Sequence, residues 1–172
     1  GQLITASEST KKESDVTNST WYKEGLTRVN MAVGSAYQNA DGVNVISASG
    51  ILNDGSDKVR VISADMTLDR IAIIVNSFIE MNDAEAFLVD KTSGVILANR
   101  DSSLISQTLG AEGQSHFYQL TAEKAAEKDY NFATLDGNMT VFQEVDGTNW
   151  LLISYIPTSI VLSDLTQLRN IM

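Results

Sequence analysis

The chain holds 172 residues, 43% of them apolar and 20% charged, which suits a folded protein with a substantial core rather than a disordered one. Twelve Lys and Arg stand against 22 Asp and Glu, a net charge of −10 that repels nucleic-acid backbone and anionic lipid. Cysteine is absent and His116 is the one histidine, which removes disulfides, thiolate catalysis and Cys-based zinc sites and argues against a His-rich metal site or a Ser-His-Asp triad.

The first periodic stretch is a short helix over 21–31, interrupted by Gly25. Two β-rich runs follow, 43–52 and 58–65, and the turn 53–57 with Asp54-Gly55 joins them as a hairpin. Residues 67–82 set Leu68, Ile71, Ala72, Val75, Phe78 and Ile79 on one helical face. Runs 84–90 and 95–99 flank the turn 91–94, a second hairpin. A helix over 115–129 starts at the N-cap candidate Ser115. Three strands, 130–135, 138–145 and 148–156, meander through Asp136-Gly137 and Asp146-Gly147, pairs that accept positive φ. Pro157 introduces a last helix over 158–172 with a stripe of Ile160, Val161, Leu165, Leu168 and Ile171. The order predicts an α+β protein built from two tandem sheet modules, with helices segregated from antiparallel strands. No apolar run reaches the ~18 residues of a membrane span, and no secretory signal is present.

No group of residues makes a familiar reaction centre. The chain has no Gly-rich phosphate loop, no His-Glu-x-x-His and no Gly-x-Ser-x-Gly. His116 at a helix start is either a general base or, with no acid at a supporting spacing, a surface histidine. Asp65 is more informative. Strand alternation sets it on one face with Val59, Val61 and Ser63, a face expected to point inward, where a carboxylate needs a partner. It reads either as a ligand-binding acid or as the N-cap of the helix that follows. Trp21, Tyr22 and Tyr37 read either as core or as the aromatic lining of a small-ligand pocket.

Trp21-Tyr22 at a helix start, Tyr37, the run Ile46-Ser47-Ala48-Ser49 and the run Val61-Ile62-Ser63-Ala64-Asp65-Met66-Thr67-Leu68 occur in that order. Ala86-Phe87-Leu88-Val89-Asp90 leading to Leu97-Ala98-Asn99 follows, then Asp146-Gly147-Thr148-Asn149-Trp150. The sequence resembles the double Cache domain, the tandem PAS-like extracytoplasmic sensor of bacterial chemoreceptors and some sensor kinases. The resemblance implies a membrane-distal ligand-binding module with its linking helix over 1–82, a membrane-proximal module over 83–157, and a C-terminal helix over 158–172 leading toward a membrane span. It implies that residues 1–6 are the second strand of the distal module, so the family's long N-terminal helix and first strand lie upstream of this chain.

Family members that bind amino acids use an Arg two residues before the Trp-Tyr pair, a Tyr-x-Asp further on, and the Asp before the linking helix. Trp21, Tyr22, Tyr37 and Asp65 match, but Ser19 replaces the Arg and Asn39 replaces the first Asp. Ser cannot make the two-pronged clamp that Arg offers a carboxylate. The resemblance therefore implies an aromatic box with one acid and the polar partners Ser19, Asn39, Ser47 and Ser63. That set suits a small ligand with N–H donors, an amine or a nucleobase. The expected protein is a chemoreceptor sensor and not an enzyme, without metal or cofactor. Its expected partner is a small molecule rather than nucleic acid, the membrane is reached only through segments outside this chain, and a homodimer would form through the upstream helix. The alternatives are the same sensor on a histidine kinase, an amino-acid or small-carboxylate sensor, and, from another class, a hydrolase using paired carboxylates.

Overall fold

Strands form where β-branched and aromatic residues gather between Asp-Gly turns. The computed structural model describes residues 3–4, 16–77 and 83–162, and the chain divides into two compact units, Gly1–Leu68 and Asp69–Met172. Of the strand expected over 1–6, only Leu3 and Ile4 are described, and neither is in a strand. Residues 78–82 of the expected linking helix, and the last helix beyond 162, lie outside the described residues.

The first unit contains a 3-10 turn at Val16–Asn18 and the helix α1 (Thr20–Gly25). The expected helix over 21–31 stops at Gly25, because the residues beyond it include the β-branched Thr27 and Val29 and lead into a strand. Strands β1 (Ala32–Gln38), β2 (Asn44–Ile51) and β3 (Val61–Thr67) form an antiparallel sheet in the order β1-β2-β3. β1 escaped the sequence reading: Ala-Val-Gly-Ser-Ala-Tyr-Gln has few strand formers and no clean alternation. Its register with β2 shifts between Val33 and Ala36. The Glu24 carboxylate fills that irregularity, accepting the Ser35 N–H at 3.1 and 3.2 Å.

α2 (Leu68–Ser77) follows β3 directly, and Leu68, Ile71 and Ala72 are its buried positions, the face its periodicity predicts. In the second unit, β4 (Glu85–Asp90), β5 (Ile96–Ala98), β6 (Ala133–Leu135), β7 (Asn138–Val145) and β8 (Trp150–Pro157) form one antiparallel sheet. Its order is β5-β4-β8-β7-β6. The Asp136-Gly137 hairpin holds both residues at positive φ, 46° and 77°, as a two-residue turn of this hand requires. α3 (His116–Ala126) starts after Ser115, as expected, and contributes Phe117 to a core with Phe87, Val89, Ile96, Leu109, Phe142, Leu151 and Ile153. Within the described residues the last helix covers 158–162. No helix among them is long and apolar enough to cross a membrane.

Candidate ligand-binding site

The register of the first sheet decides which side chains share a face. Ser47 pairs with Asp65, Ser49 with Ser63, and Ile51 with Val61, so these six project to the same side. Tyr37 pairs with Val45, two residues from Ser47 on that side. The result is a polar face in the middle of a small sheet. Ser47 and Ser49 are buried, at 1% and 0% exposure.

Buried hydroxyls need partners, and here they form a directed chain. The Ser47 hydroxyl donates to Asp65 Oδ1 at 2.7 Å, and its oxygen lies 2.7 Å from the Tyr37 hydroxyl. A serine has one proton to give, so Tyr37 is the donor to Ser47. Ser63 adds a longer contact to the same Asp65 oxygen at 3.3 Å. Both serine bonds fall on Oδ1. Among the described residues, Oδ2 receives no hydrogen bond. Val61 and Ser63 are half-buried on the covered face, as alternation predicts, but Asp65 itself is exposed, a correction to its expected inward position, and Val59 precedes the strand and is exposed. The carboxylate is thus oriented from below by hydroxyls and open above. α2 starts three residues later at Leu68, and the carboxylate is held by sheet serines.

α1 lies against this face. A Cβ on Gly25 would stand 2.4 Å from Val61 Cγ1 and 3.2 Å from Ser49 Cβ, so only glycine allows the helix so close to the strands. Trp21 and Tyr22 precede Gly25 by four and three residues, which puts both on the sheet-facing side of α1. They are half-buried and meet edge to face, 5.7 Å between centroids at 86°. Ser19 occupies the N-cap position but turns its hydroxyl back onto the Val16 carbonyl at 2.6 Å. Asn39 spends its side-chain oxygen on the β1–β2 turn, accepting the N–H groups of Asp41 and Val43 at 3.0 Å each. The structure therefore joins Tyr37, Ser47, Ser63 and Asp65 directly, adds Trp21 and Tyr22 through α1, and gives Ser19 and Asn39 local backbone partners.

Two groups outside the expected set of site residues complete this face. Ser49 is the most buried polar residue of the face, and its oxygen accepts from Arg28 at 3.3 Å. Arg28 also donates to the Ala32 carbonyl at 2.9 Å and pairs with Glu24 at 3.4 Å. Its charge is met by Glu24, so it pins the end of α1 to the start of β1. Their four-residue spacing was a visible signal for the pair. His116 is exposed and lies 3.7 Å from Asp136, itself an exposed acid on the β6–β7 turn. Among the described residues no group of three or more His, Asp or Glu side chains gathers as a metal site would require.

No family model matches the sequence, and no curated protein matches it. Solved structures do. The ligand-binding domain of the Pseudomonas fluorescens chemoreceptor CtaA, in complex with L-isoleucine, is 20% identical with a TM-score of 0.62, over 87% of this chain and 61% of that one. The ligand-binding domain of the Pseudomonas aeruginosa PAO1 amino-acid chemoreceptor PctB, in complex with L-Arg, is 19% identical with a TM-score of 0.66, over 97% and 66%. The chain has the double Cache fold. The extracellular domain of the histidine kinase mmHK1S-Z3 is also similar, at 15% identity and a TM-score of 0.65, over 88% of this chain and 58% of that one. The chain thus spans somewhat under two thirds of the length of the Cache domains that head the comparison. Within this fold, the Asp65 carboxylate stands at the exposed end of the polar face against which α1 packs.

Proposed function

We propose that this chain is the extracytoplasmic ligand-binding region of a transmembrane receptor of the chemotaxis kind. Its first module, with the linking helix over 1–82, binds a small ligand bearing N–H donors, an amine or a nucleobase. The observation that carries this is the chain Tyr37–Ser47–Asp65, which orients an exposed carboxylate whose Oδ2 accepts no hydrogen bond from the described residues. A carboxylate beside aromatic rings suits a cationic or N–H-rich nitrogen, which gains both a charged hydrogen bond and ring contact. Arg28 is neutralised by Glu24, and Ser19 stands where a clamp would be, so the face offers a free carboxylate no comparable grip. The ligands named with CtaA and PctB are amino acids, which carry an ammonium group that such an acid can hold.

Trp21, Tyr22, Tyr37, Ser63 and Asp65 make the direct contacts, and the buried Ser47 orients Asp65 from beneath. Ser19 and Asn39 shape the helix start and turn that border them. Ligand shifts the population toward a closed first module, and the second module, over 83–157, and the last helix relay a small displacement. Catalysis forms no part of this reading. The same sensor on a histidine kinase is the second reading, favoured by the likeness to mmHK1S-Z3.

A thermal-shift screen over amines, nucleobases, amino acids and small carboxylates tests the ligand class. A ligand at about 100 times its Kd adds about 2.7 kcal/mol of native stability, several degrees in Tm. Amines or nucleobases should give that shift. Stabilisation by simple carboxylates alone would refute the reading.

A further inference from the structure

The two units repeat a detail of register. In the first, Ser47 pairs with Asp65, and Asp65 stands three residues before Leu68, where the next helix begins. In the second, Thr140 pairs with Tyr155, and Tyr155 stands three residues before Thr158, where the last helix begins. Thr140 and Ser47 are both buried hydroxyls, at 0% and 1% exposure. Tyr155 therefore occupies the position in its sheet that Asp65 occupies in the other.

The second sheet has a strand here that the described part of the first does not, β4, and it brings the acid. Glu85 pairs directly with Tyr155, and the Tyr155 hydroxyl donates to Glu85 Oε2 at 2.5 Å. Burial above all, then the bond to Glu85, raises the Tyr155 hydroxyl far above the usual tyrosine range, so it stays a donor. Tyr118 on α3 accepts from the Asn99 amide at 3.0 Å. Phe87 and Phe117 fix the two tyrosine rings, 5.2 Å from Phe87 to Tyr118 and 4.5 Å from Phe117 to Tyr155 between centroids. Both tyrosines are only half-buried, and the Glu85 side chain keeps 39% of its surface exposed. Arg100, itself 68% exposed, touches the other Glu85 oxygen at 3.4 Å, a long and solvated contact that a ligand can displace.

We propose that the second unit carries its own ligand site at this repeated position, and that it takes a small primary ammonium compound, with Glu85 meeting the charge and the rings of Tyr118 and Tyr155 meeting the body. A carboxylate next to partly exposed aromatic rings recognises an organic cation by ion pairing and ring contact together. The site is independent of Asp65, since every group in it lies between Glu85 and Tyr155.

The test uses the full chain with Asp65→Ala, so that the first unit's acid cannot contribute, and with carbon-13 in its tyrosine rings. Propylammonium chloride is the probe and 1-propanol its neutral counterpart; Tyr118→Phe and Tyr155→Phe assign the two resonances. Propylammonium should shift the Tyr118 and Tyr155 resonances saturably, and propanol should not. Glu85→Gln keeps an oxygen for the Tyr155 hydroxyl but removes the charge. It should weaken the response about 10-fold or more, the weight of a charge-assisted bond. No saturable shift, or equal affinity in Glu85→Gln, would show that the contact only braces the sheet and would overturn the site.

Discussion

Gly25→Ala would ordinarily strengthen α1, since alanine in a helix gains up to about 1 kcal/mol over glycine. The seat of α1 on the sheet reverses the sign. The new Cβ would stand 2.4 Å from Val61 Cγ1 and 3.2 Å from Ser49 Cβ, well inside the roughly 3.5–4.0 Å of ordinary carbon contact. Val61 is β-branched and stiff at χ1, and Ser49 belongs to the central strand, so neither yields freely. Overpacking of this kind costs about 1–3 kcal/mol, so the net effect after the helix gain is a loss of about 1 kcal/mol. In a unit of this size that lowers Tm by about 4–8 °C. Urea denaturation followed through Trp21, with Trp150 replaced by Phe, reports on the first unit alone. Val61→Ala in the same chain removes the nearer clash and should recover about 1 kcal/mol as a coupling energy. A Gly25→Ala protein more stable than the parent, with no coupling to Val61→Ala, would refute the close seating of α1 on the polar face.

Ser47→Ala removes the donor that orients Asp65 and leaves the Tyr37 hydroxyl without its acceptor there. Ligand affinity measured by calorimetry should fall about 10-fold with the protein still folded. Ile153→Ala, at a fully buried core position, should cost about 2–5 kcal/mol in denaturant unfolding and act on the second unit. Tyr155 has a native value raised above its unfolded one, so its hydroxyl adds stability that is fully present below pH about 10 and is lost as pH rises beyond. Tyrosinate absorbance should therefore show a native tyrosine that ionises only on unfolding, and Tyr155→Phe should abolish that difference.

Much of the fold was legible because its signals are local. The Asp136-Gly137 turn, the face Leu68, Ile71 and Ala72, and Ser115 before α3 each follow from a rule of neighbours in sequence. β1 was not legible, because its pairing rests on β2 and on a Glu24 carboxylate eleven residues from the Ser35 N–H it caps. The start of β3 was misjudged by about three residues, since Asp57 to Arg60 belong to an exposed loop whose Val59 mimics strand alternation. The acid at the site was visible as Asp65, but its exposure was not. Burial depends on which strand flanks β3, and alternation within one strand cannot report that. The Glu85–Tyr155 pair was invisible for the same reason, because its partners lie 70 residues apart.

The central claim is that Asp65 holds the nitrogen of the ligand, and calorimetric titration of Asp65→Ala measures it most directly. The titrant is whichever amine or nucleobase raises the Tm of the parent chain most, and the far-UV spectrum of the variant confirms its fold. Loss of a charged acceptor costs about 1.5–3 kcal/mol, so affinity should drop roughly 10- to 150-fold. Affinity equal to that of the parent would mean that the carboxylate only braces Ser47 and Ser63, and would contradict the account.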